Sequence, residues 1–267
     1  MKFSLKARPV IIQNALYLIN WTLFAGFAGA AGGLLGGLFA LAIRYATSLR
    51  QMHPWLLYLL PLIGAAIALL YKAAHEENNR GTNMILSSIS EDAPITIPTG
   101  PLIFSSTVLS RLGGASVGRE GAALQLGGWL GSGFGRLFRL KDKDRHIAIM
   151  CGMSAVFAAL FGTPVAAAVF CIEVARVGVF HYAALVPCIF SAFIGSEIAQ
   201  LMGVLPEVYL ITSLPEPSAR PLILAVILGL LCALLSILLV VSFHSAEHHA
   251  RKHIPNAPLR AAAAGAI

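Results

Sequence analysis

The sequence predicts an all-α integral membrane protein, and three observations carry that expectation. Of its 267 residues, 57% are hydrophobic and only 12% are charged, whereas a water-soluble domain is about 25% charged. Its mean hydropathy is +0.78. Its apolar residues also gather into stretches of the length, roughly 20 residues, that a bilayer-crossing helix needs.

Those stretches run over 9–43, 54–71, 93–118, 121–138, 147–172, 182–206 and 221–243. The basic start, with Lys2, Lys6 and Arg8, resembles the head of a secretory signal. The charge-free run that follows, to Ile43, far exceeds a signal core of about 7 to 15 residues, so it is expected to stay in the membrane. As one helix it would measure about 52 Å against a hydrocarbon core of ~30 Å. It is therefore expected to be strongly tilted or broken, with Asn14 and Asn20 as breakpoints that would leave a short interfacial helix before a long tilted one. Within it Gly26, Gly29, Gly32, Gly33, Gly36 and Gly37 recur at near-helical spacing, which lets neighbouring helices approach closely.

The later stretches are uneven. The 121–138 segment is rich in glycine and 182–206 contains Glu197, so half-helices and re-entrant structure are expected beside full crossings. The net charge of +7 does not point to nucleic acid, because the cations sit in short segments beside apolar runs: Lys2, Lys6 and Arg8, then Arg136, Arg139, Lys141, Lys143 and Arg145. By the positive-inside rule both segments face the cytoplasm of a multi-pass cell-membrane protein. Cys151, Cys171, Cys188 and Cys232 are scattered through apolar segments without a Cys-x-x-Cys pair, which suggests packing rather than a zinc site or a disulfide framework.

The chemistry concentrates in Arg111-Leu112-Gly113-Gly114-Ala115-Ser116-Val117-Gly118-Arg119-Glu120-Gly121. Arg119 and Glu120 fall between two apolar stretches, where a charge at mid-membrane costs about 2.5 to 3.5 kcal/mol. An exposed turn outside the membrane would also accommodate them. The alternative is a helix beginning after the glycines, whose free N–H groups and positive dipole end hold an anion with no full positive charge nearby. There the Glu120 carboxylate can take the anion's place when ionised and leave when protonated, acting as a gate and a proton carrier.

Gly118-Arg119-Glu120-Gly121 resembles the Gly-Arg-Glu-Gly-Pro motif of the CLC (voltage-gated chloride channel) family, with Ala122 where the family has proline. Gln125 and Gly127-Gly128 follow at the family's spacing, and Phe161-Gly162-Thr163-Pro164-Val165-Ala166 resembles its later turn between two short helices. The resemblance implies the first inverted-repeat half of a CLC-type fold, with tilted and re-entrant helices that bring Gly81–Met84 and Gly118–Gly121 to a midplane anion site. It implies Glu120 as gate and proton group, with Gly81, Thr82, Asn83, Met84, Gly118, Arg119 and Gly121 around the anion. It also implies a homodimer of the complete protein, and no cofactor or metal.

Two departures from the family refine this. Its Gly-Ser-Gly-Ile-Pro motif is replaced by Arg80-Gly81-Thr82-Asn83-Met84-Ile85, which resembles the fluoride-transporting branch and makes fluoride the leading ion, with chloride next. The second of two adjacent glutamates, the inner proton acceptor of the exchangers, is replaced by Val174 after Glu173, so channel and proton-coupled antiporter both stay open.

A rival reading starts from His244-Ser245-Ala246-Glu247-His248, which has the His-x-x-Glu-His pattern of some zinc peptidases. With His249 it also resembles one histidine box of a membrane desaturase. His53, His75, His146, His181 and His253 are isolated, so the other boxes such an enzyme needs are missing and a polar helix end is expected. The second-half Gly-x-Phe-x-Pro segment of the family is absent. Residues 1–267 are therefore expected to be one transmembrane domain cut before its second repeat, either non-conducting alone or dependent on a partner.

Overall fold

The computed structural model describes residues 10–77, 81–90, 95–175, 178–206 and 218–266. Lys2, Lys6, Arg8 and Arg80 lie outside them. Among the described residues there are ten α-helices and no strand. They are α1 (Val10–Met52), α2 (Leu60–Ala73), α3 (Thr82–Ser90), α4 (Thr99–Leu112), α5 (Glu120–Leu137), α6 (Asp142–Phe161), α7 (Pro164–Ala175), α8 (Tyr182–Leu201), α9 (Ala219–His253) and α10 (Ala257–Ala266), with a 3₁₀ turn over Pro54–Leu59 before α2.

The expected break in the first segment is absent: α1 is one helix of 43 residues that passes through Asn14 and Asn20. Asparagine in a helix costs less than about 0.7 kcal/mol relative to alanine. Opening the backbone in hydrocarbon costs several kcal/mol for each unpaired group, so the helix continues. The glycines then sort onto two faces. A Cβ at Gly29 would stand 2.7 Å from the Ser191 carbonyl oxygen, and one at Gly33 2.7 Å from that of Gly195, both on α8. One at Gly36 would stand 2.7 Å from the Ala159 side chain on α6. Helix α1 thus lies in the groove between α6 and α8, with backbones closer than any side chain permits.

The same device joins α5 to α6, where a Cβ at Gly127 would meet the Gly152–Met153 backbone and one at Gly131 the backbone at Ala148–Ile149. Helix α6 is the centre of the domain. Met150, Cys151, Met153, Ala155 and Val156 are completely inaccessible, and Ser191 of α8 donates to the Cys151 carbonyl at 3.0 Å. Cys151, Cys171 and Cys188 are free and buried here.

Helix lengths follow the uneven stretches. At about 1.5 Å per residue, the 9-residue α3, the 14-residue α4 and the 12-residue α7 fall short of a ~30 Å core. The apolar stretch 147–172 divides at Gly162, whose φ of +68° ends α6 before Pro164 begins α7. This is the turn expected between two short helices, but the first of the two, α6, has 20 residues. Phe24 of α1 packs edge-on against Phe134 of α5 and against Phe138, which directly follows that helix. The early part of α1 and the basic loop after α5 therefore share one end of the domain. Helix α9 is apolar over most of its 35 residues and none of its span is buried.

Candidate functional site

The glycine-rich motif divides between a turn and a helix start. Helix α4 closes at Leu112, Gly114 turns the chain at φ +88°, and α5 begins at Glu120. The first backbone bond of α5 runs from Ala123 N–H to the Arg119 carbonyl at 2.9 Å. The N–H groups of Glu120, Gly121 and Ala122 precede that ladder and are the free donors of the helix start. Helix α3 opens in the same way after Gly81, whose φ is +61°, a left-handed geometry that glycine adopts without strain.

The two helix starts border one cavity of about 350 Å³. Gly81, Gly118, Gly121, Ala122 and Gln125 line it together with Tyr71 of α2 and Ile103, Ser106 and Thr107 of α4. The Ser106 and Thr107 hydroxyls donate back to the Ile103 carbonyl, at 3.3 and 2.8 Å, so they turn lone pairs rather than protons toward the space. Missing side chains make room: a Cβ at Gly121 would stand 3.0 Å from Thr82 Oγ1. Gln125 Nε2 donates to that same Oγ1 at 3.4 Å.

The residues singled out from the sequence are distributed as follows. Gly81, Gly118 and Gly121 line the cavity and Thr82 stands beside it. Glu120 is exposed at the first position of α5, its carboxylate folded over Gly118, where a Cβ would stand 2.7 Å from Oε2. The Arg119 guanidinium stacks on the Phe161 ring, 5.1 Å from its centroid. Asn83 is exposed, and Met84 packs against the core around Ile85 and Ile89. Tyr71, Ser106 and Thr107 were not anticipated. The run Ser105-Ser106-Thr107 inside an apolar stretch was the available signal for two of them.

Elsewhere, the segment leading into α4 is tied down by polar contacts. Trp129 and Arg136 of α5 donate to the carbonyls of Ile97 and Ile95, at 2.9 and 2.8 Å. The buried Glu76 carboxylate accepts from the Thr96 hydroxyl, which pairs with Thr99 Oγ1 at 2.7 Å. The histidine pattern lies on the exposed end of α9. There Glu247 is engaged by Arg251 at 2.7 Å and His244 Nδ1 lies 2.9 Å from the Val240 carbonyl. Among the described residues no three His, Cys, Asp or Glu side chains converge on a metal-sized site.

Comparison with known proteins bears on the whole chain. The "Chloride/fluoride channel protein" of Pseudomonas syringae pv. tomato is 34% identical over 261 residues, which is 97% of this chain and 58% of that protein. The "H(+)/Cl(-) exchange transporter ClcA" of Vibrio vulnificus is 30% identical over 175 residues, covering 59% of this chain and 37% of its own length. The crystal structure of a CLC-type fluoride/proton antiporter superposes with a TM-score of 0.84 at 28% identity, over 91% of this chain and 62% of that one. A slow cyanobacterial Cl-/H+ antiporter, with a TM-score of 0.59 at 23% identity over 79% of this chain and 53% of its own, shares the fold. The chain thus spans less than two thirds of each of these relatives. The family model described as "Voltage gated chloride channel" matches residues 63–267, and this membrane protein belongs to that family.

Proposed function

We propose that the complete protein moves a small halide, fluoride ahead of chloride, across the cell membrane along a pathway through the α3–α5 cavity, with Glu120 as its gate. The observation that carries this reading is the convergence of two helix starts on one glycine-walled space. Free N–H groups and helix dipoles attract an anion without a fixed positive charge, and such a site binds weakly enough to release. Gly81, Thr82, Gly118 and Gly121 surround the ion, and Arg119 braces the turn that carries Glu120. Asn83 and Met84 act from behind, by setting how α3 presents its first turn.

The Glu120 carboxylate is an anion on the same helix start. Ionised, it competes for those donors; protonated, it withdraws, so proton and halide movement are linked through one side chain. The names of the relatives, a chloride/fluoride channel and chloride/proton exchangers, support a halide as the substrate class and leave both channel and antiporter modes open. The complete protein acts as a homodimer in the lipid bilayer. The test is fluoride and chloride efflux, followed by ion-selective electrodes, from liposomes containing the complete protein. Fluoride is expected to leave faster. Chloride leaving much faster than fluoride overturns the fluoride preference, and efflux of neither overturns the transport reading.

A further inference from the structure

We propose that Gln125 is a specificity-determining positioning residue, which acts by orienting the Thr82 hydroxyl toward the anion. The inference rests on the reading of the α3–α5 cavity as the halide site. Gln125 stands about a turn and a half along α5 from Glu120, lines the cavity, and reaches across to the first residue of α3. Its Nε2 donates to Thr82 Oγ1 at 3.4 Å, long for an N–H···O bond. One glycine makes room for the pair. Gly121 leaves room for the hydroxyl, where a Cβ would stand 3.0 Å away, while Gly81 is favoured by its φ of +61° at the start of α3.

A threonine hydroxyl has one proton and two lone pairs. Once the amide of Gln125 occupies a lone pair, the proton is left for another acceptor. Thr82 is the first residue of α3, so no carbonyl of a preceding turn of that helix takes the proton. Thr107 and Ser106 on the opposite wall do give theirs back to Ile103. The cavity therefore receives donors from the α3–α5 side: the Thr82 O–H, the second Nε2 hydrogen of Gln125 and the backbone N–H groups. Fluoride, the smaller and more strongly hydrated halide, loses more than chloride when one oriented donor disappears. The clasp thus acts on the ratio of the two ions. A merely structural contact would lower both rates together.

The test uses liposomes of the complete protein, with fluoride and chloride efflux measured separately for wild type, Gln125→Met, Thr82→Ser, Thr82→Val and the double variant Gln125→Met/Thr82→Val. Methionine keeps the length and volume of glutamine without its amide. The fluoride-to-chloride ratio is expected to fall about tenfold in Gln125→Met and in Thr82→Val, the scale of one hydrogen bond to a charge. Thr82→Ser should stay within about twofold of wild type, and the double variant should fall no further than either single change, as coupled residues do. An unchanged ratio in Gln125→Met, or falls that multiply in the double variant, overturns the proposal. If Gln125→Met does not assemble, equal ratios in Thr82→Ser and Thr82→Val overturn it. A wild-type protein that moves neither halide overturns the transport reading, and this inference with it.

Discussion

The Arg119 guanidinium stands over the Phe161 ring at 5.1 Å from its centroid, so the turn before α5 is tied to the α6–α7 turn by a cation–π contact. Two motifs 42 positions apart in the sequence (161 − 119) thus become one structural unit. Phe161 also meets Phe157 at 4.4 Å between centroids, which steadies the ring. A cation–π pair is worth about 0.5 to 2 kcal/mol, depending on desolvation. Phe161→Leu should lower the melting temperature in detergent by a few degrees, and Arg119→Gln by a similar amount. Combining them should cost less than the sum, whereas additive losses would mean that the two side chains act independently.

Glu120 lies at the first position of α5 with its carboxylate over Gly118. Glu120→Gln keeps the size and removes the titration, so proton movement coupled to halide efflux is expected to disappear while halide passage persists. Simultaneous recording of external pH and halide release from liposomes measures both. Coupling and pH sensitivity equal to wild type in this variant would exclude Glu120 as the gate.

The Glu76–Thr96–Thr99 chain anchors the segment that enters α4. Glu76 is buried, so removing its carboxylate leaves hydroxyls short of an acceptor, at a cost of about 1 to 3 kcal/mol. Glu76→Leu should therefore lower thermal stability clearly more than Glu76→Gln, which retains an acceptor oxygen. Equal stability of the two variants in a detergent thermal-shift series would show that the chain does not hold the segment.

Much of this arrangement is legible in the sequence because lipid enforces it. Long apolar runs become helices when every backbone group must be paired internally. The Gly118–Gly121 motif marks a helix start because charge between apolar runs needs a protein reason to exist. Helix α3 is legible from the family resemblance, which implies a helix start at Gly81–Met84, but not from apolar patterning. Its Thr82, Asn83, Ser87, Ser88 and Ser90 break the apolar pattern, and it is held by Ile85 and Ile89 in the core and by the close approach of Ile85 to Gly128. Ser88 donates its hydroxyl to the Ile85 carbonyl at 2.6 Å, which removes the polarity that composition counts against it. The continuity of α1 was hidden for a related reason. Asn20 suggests a break by its intrinsic preference, but the membrane's penalty on an open backbone is larger. Which wall of the cavity offers donors depends on the back-bonds of Ser106 and Thr107, and residue identity alone does not reveal those.

The two glycine seams give the most direct test of how the domain is held together. A Cβ at Gly33 would sit 2.7 Å from the Gly195 carbonyl oxygen and 2.9 Å from its Cα. Both are backbone atoms that cannot rotate aside, so α1 and α8 must separate to admit it. Gly133 on α5 is the control, since a Cβ there meets nothing within 4 Å. Overpacking of a tight contact costs about 1 to 3 kcal/mol, while Gly→Ala in an open helical position is neutral or favourable by up to about 1 kcal/mol. Gly33→Ala should therefore lower the melting temperature and broaden the size-exclusion peak, and Gly133→Ala should leave both unchanged or raise the former. Gly36→Ala, directed at Ala159 Cβ at 2.7 Å and the Val156 carbonyl oxygen at 3.1 Å on α6, should lower stability as Gly33→Ala does, because an alanine Cβ is fixed to its backbone and cannot rotate aside. Stability of Gly33→Ala equal to that of Gly133→Ala would mean that the α1–α8 seam is looser than its backbone approach requires.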